Sequence, residues 1–439
     1  MMQGHFKNLA AELARQLHGE EGFTLWLEAE CSDFVRFNHG QVRQAGAVKQ
    51  AYLEVRLVRG QRQVVQQLSF SGGEEDLALL LDSLPALRAA LDDVADDPFL
   101  LLNDSPQNSE RVAAAGLPSS AAMAADILAA AQGHDLVGIL AAGDMSFGFA
   151  NHLGQLNWQQ GGSWSFDWSL YSHGDKAVKR SLAGSEWDAG QLRRIIAEAA
   201  DQLELLKLPP KALQPGSYRA YFTPSALGSL LSMLNWGGLS EKEVRSKRSS
   251  LLKLVDGEAR LSPLLTLVEA GADGLAPQFQ SEGFIKPDAV ELIVGGKHRN
   301  SLISPRSSRE FGLVPNAGTH EAAESLQMAA GELPQAQALE ALGTGVYLSN
   351  LWYLNFSDRS ACRITGMTRF ACFWVEGGEI VAPLGVMRFD DSLFNLLGDQ
   401  LEALTQEREL LVDAGSYGGR ATGSRHLPGA LVKSLHFSL

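Results

Sequence analysis

The 439-residue sequence has little of what marks several common classes of protein. It contains only three cysteines, Cys31, Cys362 and Cys372, and an odd, low number does not build a disulfide framework. No apolar run reaches the ~18 residues that a helix needs to cross a bilayer. Residues 1–19 lack the apolar core and the small-residue cleavage site of a secretory leader. These absences predict a cytoplasmic protein without a membrane partner.

Basic residues are also in the minority, with 37 Lys and Arg against 51 Asp and Glu and a net charge of -14. Affinity for DNA or RNA depends on neutralising phosphates, so this balance argues against a nucleic-acid partner. The densest basic stretch, residues 242–253, is flanked by acidic residues and is typical of a solvated helix face.

The ten histidines are scattered, and no HxH, HxxH or HxxxH spacing offers two imidazoles to one metal ion. His320-Glu321 begins like the zincin HExxH motif, but Glu324 stands where the second histidine belongs. We interpret this stretch as a helix start with acids near the positive end of the helix dipole. Cys362 and Cys372 are predicted in neighbouring strands, where they could face each other, and buried apolar packing is the favoured interpretation.

Two serines stand in short nucleophile-like patterns. Ser250 and Lys253 match SxxK, in which lysine lies one helical turn from serine and could act as its base. Ser416, in Ala-Gly-Ser-Tyr-Gly, approximates a nucleophile elbow but is followed by a polar loop instead of a helix. Both patterns are short enough to occur by chance, and we do not interpret either serine as a catalytic nucleophile. Neither GxxxxGK[ST] nor GxGxxG is present, so a nucleotide site has no support.

Length and pattern predict an α+β protein with more than one domain. Apolar residues at helical spacing predict helices over 5–18, 75–93, 120–132 and 188–207, with alternating strand-like segments between them. Beyond residue 218 short strands with glycine-rich turns dominate, which indicates a β-rich C-terminal region.

The first half contains a possible duplicated helix–strand unit. The first helix leads through strands to Phe37–Gln41, and the 120–132 helix leads through strands to Ala150–Gln155; both turns contain Asn-His and Gly-Gln. Prolines concentrate just after the last predicted helix of this half and disfavour regular structure there. We therefore expect three regions: an N-terminal α+β domain over 1–207, a Pro-rich linker over 208–217 and a β-rich domain over 218–439.

One C-terminal segment resembles the signature of the TldD/PmbA family, in which a glycine-initiated strand leads to a GFWIENGEI…P hairpin. The matching residues are Gly366, Phe373, Trp374, Glu376, Gly378 and Pro383. The pattern describes an apolar strand, a tight turn, a second strand and a terminating proline. Weaker matches at residues 32–38, 238–258 and 282–312 follow in the family's order.

The resemblance implies a protein related to metallopeptidases and to modulators of DNA gyrase, in a family that pairs two related subunits. One branch of that family resembles a peptidase with HExxxH on a helix. Its two histidines and a C-terminal cysteine bind zinc, and its glutamate is the general base.

Under this alignment Ser232, Met233 and Gly237 stand at the His, Glu and His positions, and Tyr417 stands near the expected cysteine. The chain therefore resembles the PmbA/TldE branch, which lacks HExxxH. The resemblance implies a pseudoenzyme without a cofactor and inactive alone. Its partner would be a zinc-bearing TldD-like subunit or a second copy in a homodimer, acting in proteolysis of peptides or unfolded segments.

Two alternatives stay open. The chain could be a non-proteolytic regulator that binds another protein such as DNA gyrase, which its acidic charge permits. It could instead be a serine hydrolase with an independent site at Ser250 and Lys253 or at Ser416.

Overall fold

A computed structural model describes residues 2–113 and 116–438. The helices of the described residues are α1 Met2–Arg15, α2 Glu75–Asp93, α3 Ser120–Ala130, α4 Ala189–Leu205, α5 Pro224–Ser232, α6 Glu241–Arg245, α7 Leu252–Val255, α8 Pro305–Phe311 and α9 Ala338–Leu342. Three short helical turns add Gly271–Asp273, Gln335–Gln337 and Asn395–Asp399.

The strands of the N-terminal half are β1 Glu21–Asn38, β2 Gln41–Arg59, β3 Arg62–Ser69, β4 Ser109–Val112, β5 Asp135–Asn151, β6 Leu156–Tyr171 and β7 Ala177–Gly184. The strands of the C-terminal half are β8 Gly216–Phe222, β9 Leu267–Glu269, β10 Val290–Val294, β11 Lys297–His298, β12 Ser325–Met328, β13 Gly345–Leu348, β14 Asn350–Asp358, β15 Arg363–Arg369, β16 Phe373–Glu376, β17 Glu379–Pro383, β18 Arg388–Ser392, β19 Leu401–Val412 and β20 Ser424–Phe437. This mixture confirms the predicted α+β class and the β-rich C-terminal region.

The N-terminal half contains the order helix, three strands, helix twice, first as α1–β1–β2–β3–α2 and then as α3–β5–β6–β7–α4. The two units join through an antiparallel β1–β5 pair in one sheet of order β3-β2-β1-β5-β6, to which β4 and β7 add on β6. When the turns at Asn38 and Asn151 are superposed, Phe34 corresponds to Phe147 without a gap. The structure thus supports the predicted duplication.

The β1–β5 register also shows that the two units are related by an approximate two-fold axis. Thr24 lies opposite Asn151 at one end of the pair, Phe37 lies opposite Gly138 at the other, and Cys31 lies opposite Asp144 in the middle. Each strand therefore meets its own counterpart in reverse direction. The axis passes near the central pair and divides the sheet into two equivalent ends.

All four long helices pack on the same face of this sheet. Helices α1 and α2 cover β1, β2 and β3 through a core that includes Phe6, Leu25 and Leu84. Helices α3 and α4 cover the other end through a core that includes Ile127 and Phe166. Side chains alternate between the two faces of a strand, so the opposite face is left to the C-terminal half of the chain or to solvent.

In the described residues the C-terminal half forms a 13-stranded sheet whose longest path runs β11-β10-β9-β12-β20-β8-β13-β16-β17. The remaining strands β14, β15, β18 and β19 branch from it. Its core is joined to that of the N-terminal half, because Tyr347, Phe373 and Leu431 pack in the same apolar cluster as Ile196 and Leu203 of α4. The halves share an apolar contact, and residues 206–215 connect them in sequence.

Three local predictions were wrong. The stretch around His320 is not a helix start, since residues 319–324 form a turn and an irregular segment before β12. Cys362 and Cys372 do not lie within strands: the first precedes β15 and the second stands between β15 and β16. Residues 102–120, whose Asn, Ser, Pro and Gly content predicts an exposed connection, contain the short strand β4, which pairs with β6.

Candidate functional site

Helix α5 lies in the core of the C-terminal half, and its first residues are of the types that favour the start of a helix. Thr223 caps it, since its Oγ1 accepts a hydrogen bond from the amide of Ala226 at 3.3 Å, and Pro224 occupies the first turn, where no amide donor is needed. Leu227 and Leu230 are fully buried on its packed side. The C-terminal end of α5 is therefore held in a fixed position in the core.

After this end the chain continues in tight turns, with backbone hydrogen bonds between residues three apart as far as Trp236. Met233 is the C-cap residue of α5. Gly237 has a φ of 81°, a left-handed conformation that favours glycine. A β-carbon at position 237 would approach the Arg359 guanidinium to 2.9 Å and the Glu243 side chain to 3.0 Å. Position 237 thus lies outside the helix and beside occupied space.

The structure brings three of the four expected zinc-motif positions together and leaves the fourth apart. Ser232 ends α5 and donates its hydroxyl to the Ser229 carbonyl at 2.7 Å, and Met233 is buried beside it. Tyr417 is fully exposed on the loop between β19 and β20. The neighbours of Tyr417 line a different cavity from the one that Gly237 lines.

These four positions do not fit zinc. Proteins bind zinc through thiolate, imidazole and carboxylate groups. The Ser232 hydroxyl is already hydrogen-bonded to a backbone carbonyl, the Met233 thioether is buried, and Gly237 has no side chain. The Tyr417 phenol lies at a different cavity. Among residues 2–113 and 116–438, no three His, Cys, Asp or Glu side chains are grouped so as to hold a metal ion. No catalytic step through a metal follows from this arrangement.

A cavity of about 870 Å³ opens beside the end of α5. Its charged lining residues are Lys242, Glu243, Lys247, Arg248, Lys253, Asp256, Glu258, His320, Glu321 and Arg359. Several of these charges already have partners: Arg248 pairs with Glu243 at 3.0 Å, and Arg359 donates to the carbonyls of Trp236 and Arg248. Much of the charge therefore stabilises the cavity wall.

Glu321 is the buried anchor of this wall. Its carboxylate accepts hydrogen bonds from the Ser240 hydroxyl at 2.5 Å, the Lys242 amide at 2.9 Å, the Ser304 amide at 2.9 Å and the Ser304 hydroxyl at 2.8 Å. Burial alone would raise the pKa of Glu321, but the hydrogen bonds from serine hydroxyls and backbone amides outweigh it and hold the pKa below its ordinary value. The Glu of the HExxH-like stretch thus joins the starts of α6 and α8.

His320 is exposed on the rim of that cavity, next to Thr319. The same two residues also line a second cavity of about 530 Å³, which lies between the open face of the N-terminal sheet and residues 277–286. The two cavities therefore share a wall, and together they extend from the end of α5 to the contact between the two halves.

The serine patterns do not form a nucleophilic site in this structure. Ser250 is fully buried, so no substrate can reach its hydroxyl, whereas Lys253 lines the cavity beside α5. Ser416 lies on the loop between β19 and β20 and forms no hydrogen bond to a basic side chain of the described residues. A nucleophile needs a base within hydrogen-bond reach, and neither serine has one.

Two of the cysteines are buried, which agrees with the apolar interpretation. Burial raises the pKa of the Cys362 thiol to about 12, against a smaller opposing effect from the neighbouring Ser250 hydroxyl. Burial likewise raises the pKa of the Cys372 thiol. Thiols of this kind are inert toward metals and electrophiles at neutral pH.

Sequence reasoning did not single out Arg420, which fastens the loop between β19 and β20 onto the N-terminal sheet. Its guanidinium donates to the carbonyl and hydroxyl of Ser163, each at 2.8 Å, and to the carbonyl of Gly143 at 3.1 Å. Its amide donates to Glu30 at 3.2 Å. These contacts surround the approximate two-fold axis, so one residue of the C-terminal half binds the centre of the duplicated sheet.

The family profile described as the PmbA/TldA metallopeptidase C-terminal domain matches residues 215–439. This match covers half of the chain. The chain belongs to the PmbA/TldD family. No curated protein matches its sequence.

Solved structures of similar fold cover the full length of this PmbA/TldD family member. TldE from Thermococcus kodakarensis is 13% identical with a TM-score of 0.82, and the match covers 99% of this chain and 100% of that one. A putative modulator of a DNA gyrase from Thermotoga maritima is 14% identical with a TM-score of 0.77, and one from Bacteroides thetaiotaomicron is 16% identical with a TM-score of 0.73. Both of these matches cover 100% of each chain. At these identities the likeness shows a shared fold.

The signature residues of the PmbA/TldD family form a hairpin here. Phe373 and Trp374 lie on β16 and Pro383 ends β17, while Gly378 has a φ of 86° in the turn between them. Hydrogen bonds from Lys211 and Trp374 lower the pKa of the exposed Glu376 carboxyl.

Gly366 lies on the neighbouring strand β15. A β-carbon there would meet the Phe389 ring at 2.8 Å, so glycine is required for packing. The signature therefore describes a structural element and not a reactive site.

Proposed function

We propose that the chain is a zinc-free, non-catalytic subunit of a PmbA/TldD-type peptidase system that acts on peptides or unfolded segments. The observation that carries this proposal is the end of α5, where Ser232, Met233 and Gly237 stand in place of two ligands and a general base. Three protein ligands hold a catalytic zinc, and none is offered at these positions.

The intact scaffold supports a binding role for such a subunit. The fold matches TldE of Thermococcus kodakarensis over 99% of the chain. Under this proposal the zinc-binding residues are absent, while every domain of the fold is kept. We propose that a zinc-bearing TldD-like subunit pairs with the chain and supplies the chemistry. The chain would close the cleft and help to hold an extended peptide by main-chain hydrogen bonds.

Two further parts of the proposal concern organisation and location. We propose an N-terminal domain over 1–207, a linker over 208–217 and a C-terminal domain over 218–439; the two separate sheets, one ending with β7 at Gly184 and the other beginning with β8 at Gly216, support this division. We also propose a cytoplasmic location. No helix in the described residues is long and apolar enough to cross a membrane.

The test combines metal content with activity. The purified chain is analysed for zinc by elemental mass spectrometry, then assayed on unfolded peptides alone and after mixing with an HExxxH-bearing family subunit from the same source. We expect near-zero zinc and no activity alone, and activity with the partner that chelators abolish. Zinc near one per chain, or chelator-resistant activity of the chain alone, would refute the proposal.

The second candidate function is a non-proteolytic regulator of another protein. Two of the similar structures carry the description of putative modulators of DNA gyrase, and the net charge of -14 suits contact with a basic protein surface. A pulldown with purified gyrase distinguishes this function, because it predicts stable binding without a PmbA/TldD partner and without peptide cleavage.

A further inference from the structure

The cavity of about 530 Å³ between the two halves has a floor made of alternate residues of β1 and β2. These floor residues are Trp26 and Glu28 of β1 and Tyr52 and Glu54 of β2. They lie on the face opposite the helices, because Leu27 and Leu53 between them are buried in the core that α1 and α2 cover. Across the strands, Trp26 lies opposite Glu54 and Glu28 lies opposite Tyr52. Each carboxylate thus has an aromatic cross-strand neighbour, and we call these four residues the aromatic–acidic floor.

Negative charge exceeds positive charge in the lining of this cavity. The charged lining residues are Glu28, Glu54, Arg56, Glu282, Lys286, His320 and Glu324. With a neutral imidazole, four carboxylates stand against two basic side chains. Lys286 pairs with Glu324, and Arg56 pairs with Glu282 at 3.2 Å and with Glu54 at 3.5 Å. Both basic side chains are therefore already paired within the cavity wall.

The two carboxylates of the floor are left with little compensating charge. Within residues 2–113 and 116–438 Glu28 forms no ion pair, and its carboxylate accepts a hydrogen bond from the Trp26 indole at 2.8 Å. Burial is the largest cause that raises the pKa of Glu54, and Arg56 opposes this rise. The neighbouring charges of Glu282 and Glu28 add to the rise. Because a cation between Glu28 and Glu54 would stabilise both ionised carboxylates, the floor favours a positively charged ligand.

The aromatic residues of the cavity suit an organic cation. Trp26 is half-buried and Tyr52 is 41% exposed, so both residues line the cavity without being enclosed. Phe279 of the opposite wall packs on Trp26 with its ring centroid 5.6 Å from that of the indole. An ammonium or guanidinium group is attracted to an aromatic face within about 6 Å of the ring centroid. Carboxylates and aromatic rings on one floor thus match the side chains of lysine and arginine.

Two buried donors that line the same cavity indicate what surrounds the cation in the ligand. Gln280 is buried, and among the described residues its side-chain Nε2 has no hydrogen-bond partner. The same is true of Nε of Arg56, whose side chain is 9% exposed. Buried polar groups are normally hydrogen-bonded, so these donors favour a ligand that brings acceptors with it. A peptide carries carbonyl oxygens on both sides of a basic side chain, whereas a simple amine carries none.

The cavity also has the extent that a peptide needs. Thr319 and His320 line both this cavity and the cavity of about 870 Å³ beside α5. An extended chain that lies on the aromatic–acidic floor would continue past His320 toward the end of α5. The two cavities together therefore suit several residues of peptide better than a single small molecule.

We propose that the aromatic–acidic floor binds a lysine or arginine side chain of an extended peptide, whose main-chain carbonyls accept hydrogen bonds from Gln280 and Arg56. This inference rests on the proposed function and names its substrate class, which is peptides or unfolded segments with a basic residue at this place. The floor selects and positions the peptide and takes no part in bond cleavage.

The experiment measures peptide binding to the full chain, alone and mixed with an HExxxH-bearing family subunit from the same source. The probes are short, end-blocked, fluorescent peptides of alanine and serine with one central lysine, arginine or norleucine, and spermidine serves as a competitor without carbonyl groups. The test variant is Glu28→Gln/Glu54→Gln, which removes both charges of the floor and keeps the side-chain size. The control, Glu20→Gln/Glu110→Gln, makes the same charge change at exposed positions elsewhere.

We expect the lysine and arginine peptides to bind at least tenfold more tightly than the norleucine peptide. The test variant should lose this preference, the control should keep it, and spermidine should compete at least tenfold more weakly than unlabelled lysine peptide.

Equal affinity for the lysine and norleucine peptides, with peptide cleavage by the mixed subunits intact, would overturn this inference and leave the proposed function standing. A preference that persists in the test variant, or disappears equally in the control, would overturn the location of the site. Spermidine that competes as well as the lysine peptide would overturn the peptide as the occupant. Absence of peptide binding and of cleavage by the mixed subunits would overturn the proposed function and this inference with it.

Discussion

Replacement of Glu321 tests whether the cavity wall beside α5 is held by one buried carboxylate. The carboxylate receives four hydrogen bonds from Ser240, Lys242 and Ser304, at the starts of two separate helices. A hydrogen bond to a charged group contributes about 1.5–3 kcal/mol, and bonds that share one acceptor are not additive. We therefore expect Glu321→Ala to destabilise the C-terminal half by about 3–5 kcal/mol.

The effect of Glu321 should depend on pH in a defined direction. Its pKa is lowered in the folded protein, so its stabilising contribution is complete above the unfolded pKa of about 4.3 and is lost as the pH falls through the folded value. Glu321→Gln removes the charge and replaces one acceptor by a donor. The stability difference between wild type and Glu321→Gln should therefore be constant from pH 6 to 8 and shrink at acidic pH.

The assay is thermal unfolding of both variants beside Glu310→Ala, an exposed position of α8 that serves as the control. For a unit of ~200 residues, 1 kcal/mol corresponds to about 2–4 °C, so Glu321→Ala should lower Tm by roughly 10 °C while the control changes it by less than about 2 °C. Equal Tm values for Glu321→Ala and the control would refute the anchor role, and a difference that grows at acidic pH would refute the lowered pKa.

Three further outcomes follow from single contacts. Phe279→Ala should destabilise the contact between the two halves by about 3–5 kcal/mol, measured by urea unfolding, because it empties a buried aromatic site; a change below 1 kcal/mol would contradict this. Arg420→Met should release the loop between β19 and β20, so that limited proteolysis cuts there faster than in wild type, whereas unchanged cleavage would mean that other contacts hold the loop. Only Cys31 should react with a thiol reagent at pH 8 in the folded protein, since Cys362 and Cys372 are buried; mass spectrometry showing two or three labels would contradict their burial.

Most of the long helices could be predicted from local sequence patterns. Periodic leucines and alanines predicted α2 at its observed bounds of Glu75–Asp93 and placed α1, α3 and α4 within three residues at each end. The Asn-His turns revealed the duplicated unit because a tight turn restricts residue choice more strongly than a strand does. The irregular path of residues 319–324 escaped prediction, since Glu321 is ordered by serines and amides that are distant in sequence.

Fewer features of the candidate site than of the fold could be predicted from the sequence. A motif alignment could mark Ser232 and Gly237, but only the structure shows that α5 ends before position 237 and that Arg359 stands beside it. The role of Arg420 depends on a contact across more than 250 positions with Ser163. Strand β4 lies in a segment of loop-like composition, so its pairing with β6 could not be predicted from the sequence.

The end of α5 departs from the expected HExxxH motif in its backbone as well as in its side chains. The family resemblance places that motif on a helix, where its two histidines bind one zinc ion. Here the helix stops at Ser232, and Gly237 takes a left-handed conformation against Glu243 and Arg359. A side chain placed at position 237 would meet the Arg359 guanidinium and the Glu243 side chain, which line the cavity. The proposed binding role is therefore supported by the backbone at the end of α5 as well as by the residue types found there.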